Sequence, residues 1–341
     1  MRGNHRSRRH THSRPDKNRV GASEMEVMKA IRIHNYGGPE VLQYEDAPIP
    51  KPAPGEVLIR VHAAGVNPAD WKVREGHLKQ FVQNKFPLIL GWDLSGVIEE
   101  VGANPAANGR FKKGDEVFGK RDTSRDGAYA EYIVVRESEV ALKPKSLHHV
   151  YAAAVPLAGI TAWQALFDTA KLQSGHRILI HGAAGGVGHY AVQLAKWKGA
   201  YVVATGSTKN HDLLRKLGAD ETIDYTTQKF ESIVRDVDVV LDTIGGETQE
   251  RSWRVLKKGG ILASLVQPPS EQKAKAIGVR AAFVWSQPNG NELAEIAALI
   301  DSGNLKIVLD RILPLSEARR AHELSQSGHA RGKIVLRVKE D

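Results

Sequence analysis

The chain has 341 residues, 41% of them hydrophobic and 26% charged, with a formal net charge of +9 and no cysteine. That length suffices for two domains, and that balance describes an ordinary globular protein. The missing cysteines exclude disulfides, thiolate zinc sites and a cysteine nucleophile, and they fit a reducing compartment, so a cytoplasmic location is expected.

The positive charge is concentrated at the start. Residues 1–22 carry Arg2, Arg6, Arg8, Arg9, Arg14, Lys17 and Arg19 against Asp16 alone, a net +6 that leaves +3 for the remainder. Residues 2–19 hold no large apolar side chain, so residues 1–27 read as a disordered basic tail. It lacks the amphipathic pattern of an organellar presequence, and its composition favours an extension ahead of the fold over a nucleic-acid arm. The apolar run 152–160 is broken by Pro156 and falls short of the roughly 18–20 residues of a membrane span. Neither a membrane nor a nucleic acid is expected as a partner.

Residues 29–35 alternate and predict a strand, 36–39 a turn, and 41–44 a second strand. Pro48, Pro50, Pro52 and Pro54 predict an extended crossing segment. Residues 56–63, 97–101, 116–118 and 129–135 predict further strands, and 70–75 a short helix. Residues 28–150 therefore read as a β-rich unit, consistent with a partly closed barrel. An Ala-rich helix is predicted over 151–166. Strands at 177–181, 201–204, 222–224, 237–242 and 261–266 then alternate with helices at 190–197, 210–217 and 248–256. That alternation predicts a doubly wound parallel sheet over 151–284. Residues 285–341, with helices at 292–300 and 316–325 and strands at 308–313 and 333–338, return to the first unit. A cleft above the carboxyl ends of the strands is the expected site.

Ala183-Ala-Gly185-Gly186-Val187-Gly188 joins the first parallel strand to its helix. Gly185 lets the backbone approach a pyrophosphate, Gly188 lets helix and strand pack closely, and the first helical amides favour negative charge. Ala183 stands where the first glycine of such a turn is usual. At the end of the next strand, Thr205-Gly-Ser207-Thr208-Lys209-Asn210-His211 offers no acid to a ribose hydroxyl, and no acid occurs from Tyr201 until Asp212. Hydroxyls and an ammonium suit a 2′-phosphate, which selects NADPH as the cofactor.

Seven motifs in one order carry a resemblance. They are Pro54-Gly-Glu-Val-Leu-Ile-Arg-Val61, Ala64-Gly-Val-Asn67-Pro68-Ala-Asp70, Gly91-Trp-Asp-Leu-Ser-Gly96, Gly159-Ile-Thr161-Ala-Trp163, the glycine turn, Gly218-Ala-Asp220 and Gly332-Lys333-Ile-Val. From Met28 onward the chain resembles the zinc-free quinone oxidoreductase branch of the medium-chain dehydrogenase/reductase superfamily. The resemblance implies an α/β protein with a GroES-like catalytic domain and a Rossmann domain, forming a homodimer. It implies that Ala184, Gly185, Gly186, Val187 and Gly188 bind the pyrophosphate and that Thr161 approaches the nicotinamide, which the amide of Asn67 is also suited to position. Ser207, Lys209 and Tyr225 would hold the 2′-phosphate, and Asp242 and Gly245 would line the groove. Zinc-binding relatives carry a cysteine where Asn67 stands and a histidine where Trp92 stands, so no metal is expected. None of the 14 histidines falls at a ligand position, and surface or tail is expected for them.

Without a Lewis acid, acceptors that delocalise an incoming electron pair are favoured, namely quinones and α,β-unsaturated carbonyls. Asn67 is the first candidate donor to the resulting anion, and Lys72 and Tyr36 are weaker candidates. Asp70 reads as a buried structural acid, and Trp92 and Trp285 as pocket walls or core. Two alternatives stay open. One is an alcohol or carbonyl oxidoreductase. The other is a non-catalytic NADPH-binding protein of RNA-binding or crystallin-like kind, supported by the basic tail alone.

Overall fold

A computed structural model describes Met1 and residues 26–82, 85–103 and 109–340. Most of the basic tail lies outside the described residues; Val27, at its end, already opens the first strand.

The first unit strings together β1 (Val27–Ile33), β2 (Gln43–Pro48), β3 (Glu56–Val66), helix α1 (Pro68–Arg74), β4 (Leu88–Ile89), β5 (Asp93–Val101), β6 (Glu116–Lys120), β7 (Tyr132–Arg136) and β8 (Val140–Leu142). Two helices follow, α2 (His149–Ala152) and α3 (Pro156–Trp163). The second unit runs β9 (Arg177–Ile180), α4 (Gly188–Trp197), β10 (Tyr201–Gly206), α5 (His211–Lys216), β11 (Glu221–Asp224), α6 (Phe230–Ile233) and β12 (Val237–Asp242). It continues through α7 (Gly246–Ser252), β13 (Leu256–Ser264), α8 (Glu271–Ala276) and β14 (Arg280–Phe283). The chain ends in α9 (Gly290–Asp301), β15 (Leu309–Pro314), α10 (Ala318–Gln326) and β16 (Lys333–Arg337).

Six parallel strands form one sheet in the order β11-β10-β9-β12-β13-β14. Its direction of winding reverses between β9 and β12, where ligands of such sheets bind. Ile178, Leu179 and Ile180 are all buried, because helices cover both faces of a parallel sheet. A second sheet runs β15-β16-β3-β5-β6-β8, with β7 also on β3, and β2-β1-β4 form a small third sheet. At the end of the chain β16 joins β3 of the first unit, with Ile334 paired to Val66 and Leu336 to Ala64. Helix α9 buries Leu293, Ile296, Ala297 and Ile300 in the core of the parallel-sheet unit.

Several local expectations are corrected. Pro39 at a helix N1 position turns 39–41 into a 3-10 turn, so the second strand begins at Gln43 and runs on to Pro48. Pro156 splits the single helix expected over 151–166 into α2 and α3. The helix expected over 248–256 ends at Ser252: Leu256 already pairs with Val237, and β13 runs on through Gly259 at φ +80°. The run 149–169 is long and apolar enough to cross a membrane, but 72% of its apolar window is buried inside the fold, as for a core helix.

Candidate functional site

The glycine turn opens at Gly182, not at position 183. Gly182 adopts φ +59°, a left-handed conformation that β-carbon-bearing residues resist. Its carbonyl accepts the N–H of Gly185 at 3.0 Å. A β-carbon on Gly188 would lie 2.3 Å from the Gly182 carbonyl oxygen and 2.6 Å from Ala183 Cα, so only glycine fits where α4 meets β9. Two buried histidines brace the turn. His189 Nδ1 donates to the Gly185 carbonyl at 2.9 Å, and His181 Nε2 donates to Ser252 Oγ at 2.9 Å. Burial pushes both pKa values down to about 4, so both are neutral. The surface-or-tail expectation for histidine fails here, because His62, His149, His181, His189 and His322 are all buried.

Against this turn lies a polar cluster carried by β16, β5 and the end of β3. The Lys333 ammonium donates to Asn67 Oδ1 and to the Val66 carbonyl, and it sits 3.3 Å from Asp93 Oδ2. Asn67 Nδ2 donates to the same Asp93 oxygen at 2.8 Å, and Asp93 Oδ1 accepts the Leu157 N–H at 2.6 Å. Gly332 N–H donates to the Ala184 carbonyl at 2.9 Å, and a β-carbon on Gly186 would touch Lys333 Cδ at 3.3 Å. Lys333 and Asp93 belong to motifs visible in the sequence, yet nothing local says that they meet.

Asn67 begins α1. Its backbone N–H donates to Asp70 Oδ2 at 2.7 Å, and Tyr129 donates to the same oxygen at 2.8 Å. Burial raises the Asp70 carboxyl to about 7, as for a structural acid out of water. Lys72 is half-buried on α1, 5.6 Å from the Trp71 ring, and burial lowers its pKa. Tyr36 packs edge-on against Phe86 at 4.8 Å, with the Lys79 ammonium 4.3 Å from its ring. The backbones of Gly37 and Arg74 are joined by a 3.1 Å hydrogen bond, which ties the Tyr36 loop to the helix carrying Lys72. Trp92 is core, its indole donating to the Arg125 carbonyl at 3.0 Å. Trp285 is exposed and stacks on Phe81 at 5.8 Å.

Thr161, on α3, donates to the Leu157 carbonyl at 2.6 Å and lies 2.8 Å from Ser286 Oγ. Lys120, at the end of β6, donates to the Ser286 carbonyl; nothing in the sequence marks it beyond a cation closing an apolar strand. Ser207 is half-buried and Lys209 exposed at the end of β10, with Tyr225 exposed after β11. An acid does reach the end of β10, from the neighbouring strand. Asp224 accepts from the Thr208 hydroxyl, and from the Thr226 hydroxyl and N–H at 2.6 and 2.9 Å. Those bonds hold its pKa at about 2. Asp242 is likewise engaged: it accepts from Ile244, Gly245, Gln249 and Ser264, which shapes the turn at Gly245, φ +77°.

Comparison with known proteins bears on the same architecture. The alcohol dehydrogenase GroES-like domain family matches residues 53–145, and the zinc-binding dehydrogenase family matches residues 217–336. The chain is 34% identical to NAD(P)H oxidoreductase RTN4IP1, mitochondrial, of Danio rerio, over 94% of each protein. It is 34% identical to the chloroplastic quinone-oxidoreductase homolog of Spinacia oleracea, over 91% of this chain and 98% of that one. It is 38% identical to the 2-methylene-furan-3-one reductase of Solanum lycopersicum, over 91% of this chain and 79% of that one. Among solved structures, the quinone oxidoreductase of Coxiella burnetii superposes with a TM-score of 0.84 at 37% identity, covering 92% of this chain and all of that one. A mycobacterial protein in complex with NADPH superposes at 0.81 with 30% identity, over 91% of this chain and all of that one. The cytoplasmic expectation is overturned: the relatives from Danio rerio and Spinacia oleracea are named as mitochondrial and chloroplastic proteins, which points to an organelle. Lack of cysteine excludes disulfides and does not by itself select a compartment.

Proposed function

The chain belongs to the quinone oxidoreductase branch of the medium-chain dehydrogenase/reductase superfamily and is an oxidoreductase using a nicotinamide cofactor, and on that footing we propose that it delivers a hydride from NADPH to a quinone or α,β-unsaturated carbonyl without a metal ion. The observation that carries this reading is the meeting of the glycine turn, Lys333 and the Asn67–Asp93 pair between the two units. Ala184, Gly185, Gly186, Val187 and Gly188 would hold the pyrophosphate, with backbone amides at the N-terminus of α4 and the Lys333 ammonium beside them. Ser207, Lys209 and Tyr225 would hold the 2′-phosphate, since Asp224 is occupied by its own threonines. Asp242 acts on the groove through the turn at Gly245.

Bound there, the reduced nicotinamide supplies the hydride. Asn67 orients rather than protonates, because its amide is engaged by Asp93 and Lys333. Lys72, with its lowered pKa, and Tyr36 are the donors that hold the developing oxyanion and return a proton. Zinc independence is supported by the donor set. Trp92 offers an N–H already given away, and the Asn67 amide oxygen is already bound to a lysine. An organellar setting and a homodimer complete the reading, the first supported by the names of the relatives and the second by the family resemblance.

The test is oxidation of NADPH and of NADH against quinones, enals and simple ketones, each with and without a strong chelator. Quinones or enals with NADPH, unaffected by the chelator, are the expected best combination. Preference for simple ketones, preference for NADH or loss of activity on chelation would each overturn the corresponding part.

A further inference from the structure

Lys120 is a cation that the reduction described above does not use. It closes β6 beside Asp93, is 4% exposed, and lies at the seam between the two units. A buried ammonium is retained only where partners compensate for lost water. Its partners are the Ser286 carbonyl and Ser286 Oγ, the latter at 3.2 Å. The bond directions are determined. The Thr161 hydroxyl is spent on the Leu157 carbonyl, so Ser286 donates to Thr161 and accepts from Lys120. Three separate elements are thereby linked: β6 of the first unit, α3, and the segment after β14.

That segment is held on its other side by the second unit. Gln164 Nε2 donates to the Gln287 carbonyl at 3.0 Å, and Gln164 Oε1 accepts the Gln287 N–H at 2.9 Å. Lys120 and the Phe81–Trp285 stack tie it to the first unit. We propose that Lys120 is a positioning residue for hydride transfer, its ammonium clamping Ser286 and through it Thr161 so that the two units close on the nicotinamide in one geometry. This rests on the reading of Thr161 as a nicotinamide-side residue. Misplacement of reacting atoms by an ångström is enough to cost orders of magnitude in rate.

The charge of the clamp is itself sensitive. Burial lowers the Lys120 pKa to about 8, opposed by Asp93 on β5, Asp122 beyond β6, Glu139 before β8 and Glu292 on α9. The ammonium is present below that pH and is lost as pH rises through it. An arginine there keeps its charge throughout.

The experiment compares the full wild-type chain with K120M and K120R. The readouts are NADPH binding by fluorescence, melting temperature, kcat and KM with a benzoquinone from pH 6 to 10, and the isotope effect with NADPH deuterated at the transferred position. K120M is expected to bind NADPH and melt close to wild type while kcat falls about tenfold, KM for the quinone moves less than about twofold, and the isotope effect rises. K120R should recover part of kcat and remove the alkaline fall near pH 8. Wild-type kcat and alkaline limb in K120M would overturn the proposal. So would parallel losses of melting temperature, NADPH binding and kcat that K120R does not rescue. Should K120M fail to fold, S286A, which keeps the Lys120 bond to the residue 286 carbonyl but cuts the hydroxyl link to Thr161, is expected to show the same fall in kcat and the same rise in the isotope effect, and a wild-type kcat there would overturn the proposal. Failure of the wild-type chain to bind NADPH would instead overturn the cofactor reading on which this one rests.

Discussion

Asp70 shows how one side chain is asked to do two things. Its Oδ2 caps α1 through the Asn67 N–H and receives the Tyr129 hydroxyl, while its Oδ1 is buried without a hydrogen-bond partner. Removing the carboxyl leaves two buried donors unpaired, so D70A should lose about 2–3 kcal/mol in urea denaturation. D70N keeps the accepting oxygen and should stay close to wild type. The sign of its pH dependence follows from the raised pKa. The folded protein binds the proton more tightly than the unfolded chain, so this stabilisation is fully present below about 3.8 and is lost as pH rises through about 7. D70N should abolish that contribution, read as the difference between the two proteins at pH 5 and pH 8. Asn67, Pro68 and Asp70 were legible as a turn-and-cap because their interactions span three residues. The partner of the Asn67 side chain was not, because Lys333 lies 266 positions away.

At the scale of an element, the β9–turn–α4 unit was legible almost whole, since hydrophobic runs and glycines are local signals. What local signals missed was which glycine takes the strained conformation and which one is walled in. A β-carbon on Gly188 would strike backbone atoms, whereas one on Gly186 would meet the flexible Lys333 side chain. G188A should therefore force β9 and α4 apart, costing about 1–3 kcal/mol of stability and at least about tenfold in NADPH affinity. G186A should cost far less. Thermal melts and a fluorescence titration check both. Equal behaviour of the two variants would show that the close approach at Gly188 does not control the cofactor turn. The elements misread at this scale, β2 and β13, share a cause: prolines and paired glycines punctuate strands as readily as they end helices.

For the whole molecule, the buried histidines govern stability in acid. His181, His189 and His322 sit at about 4, 4 and 3, all pushed down by burial, with the Arg74 guanidinium adding to the effect at His322. Each is neutral when folded and protonates near pH 6.5 when unfolded, so the unfolded state binds more protons and stability falls as pH drops from about 6.5 towards 4. Asp70 works in the opposite direction over much of the same window. Three histidines against one aspartate leave a net uptake of about two protons on unfolding, or about 2–3 kcal/mol per pH unit at the steepest. Denaturation curves at half-unit steps from pH 4 to 7 measure it, and a flat profile would contradict the buried neutral state.

The amino-acid order alone determined the class of fold, the family and the alternation of strands and helices, because each rests on periodicity, turn residues or a short motif. The tertiary structure decided which residues meet. Lys333 meets Asn67 and Asp93, Lys120 reaches Ser286, and Asp224 comes to Thr208 from a neighbouring strand. These are pairings across strands and between units, set by sheet order and packing, and a linear pattern carries no record of distances that only the closed chain creates.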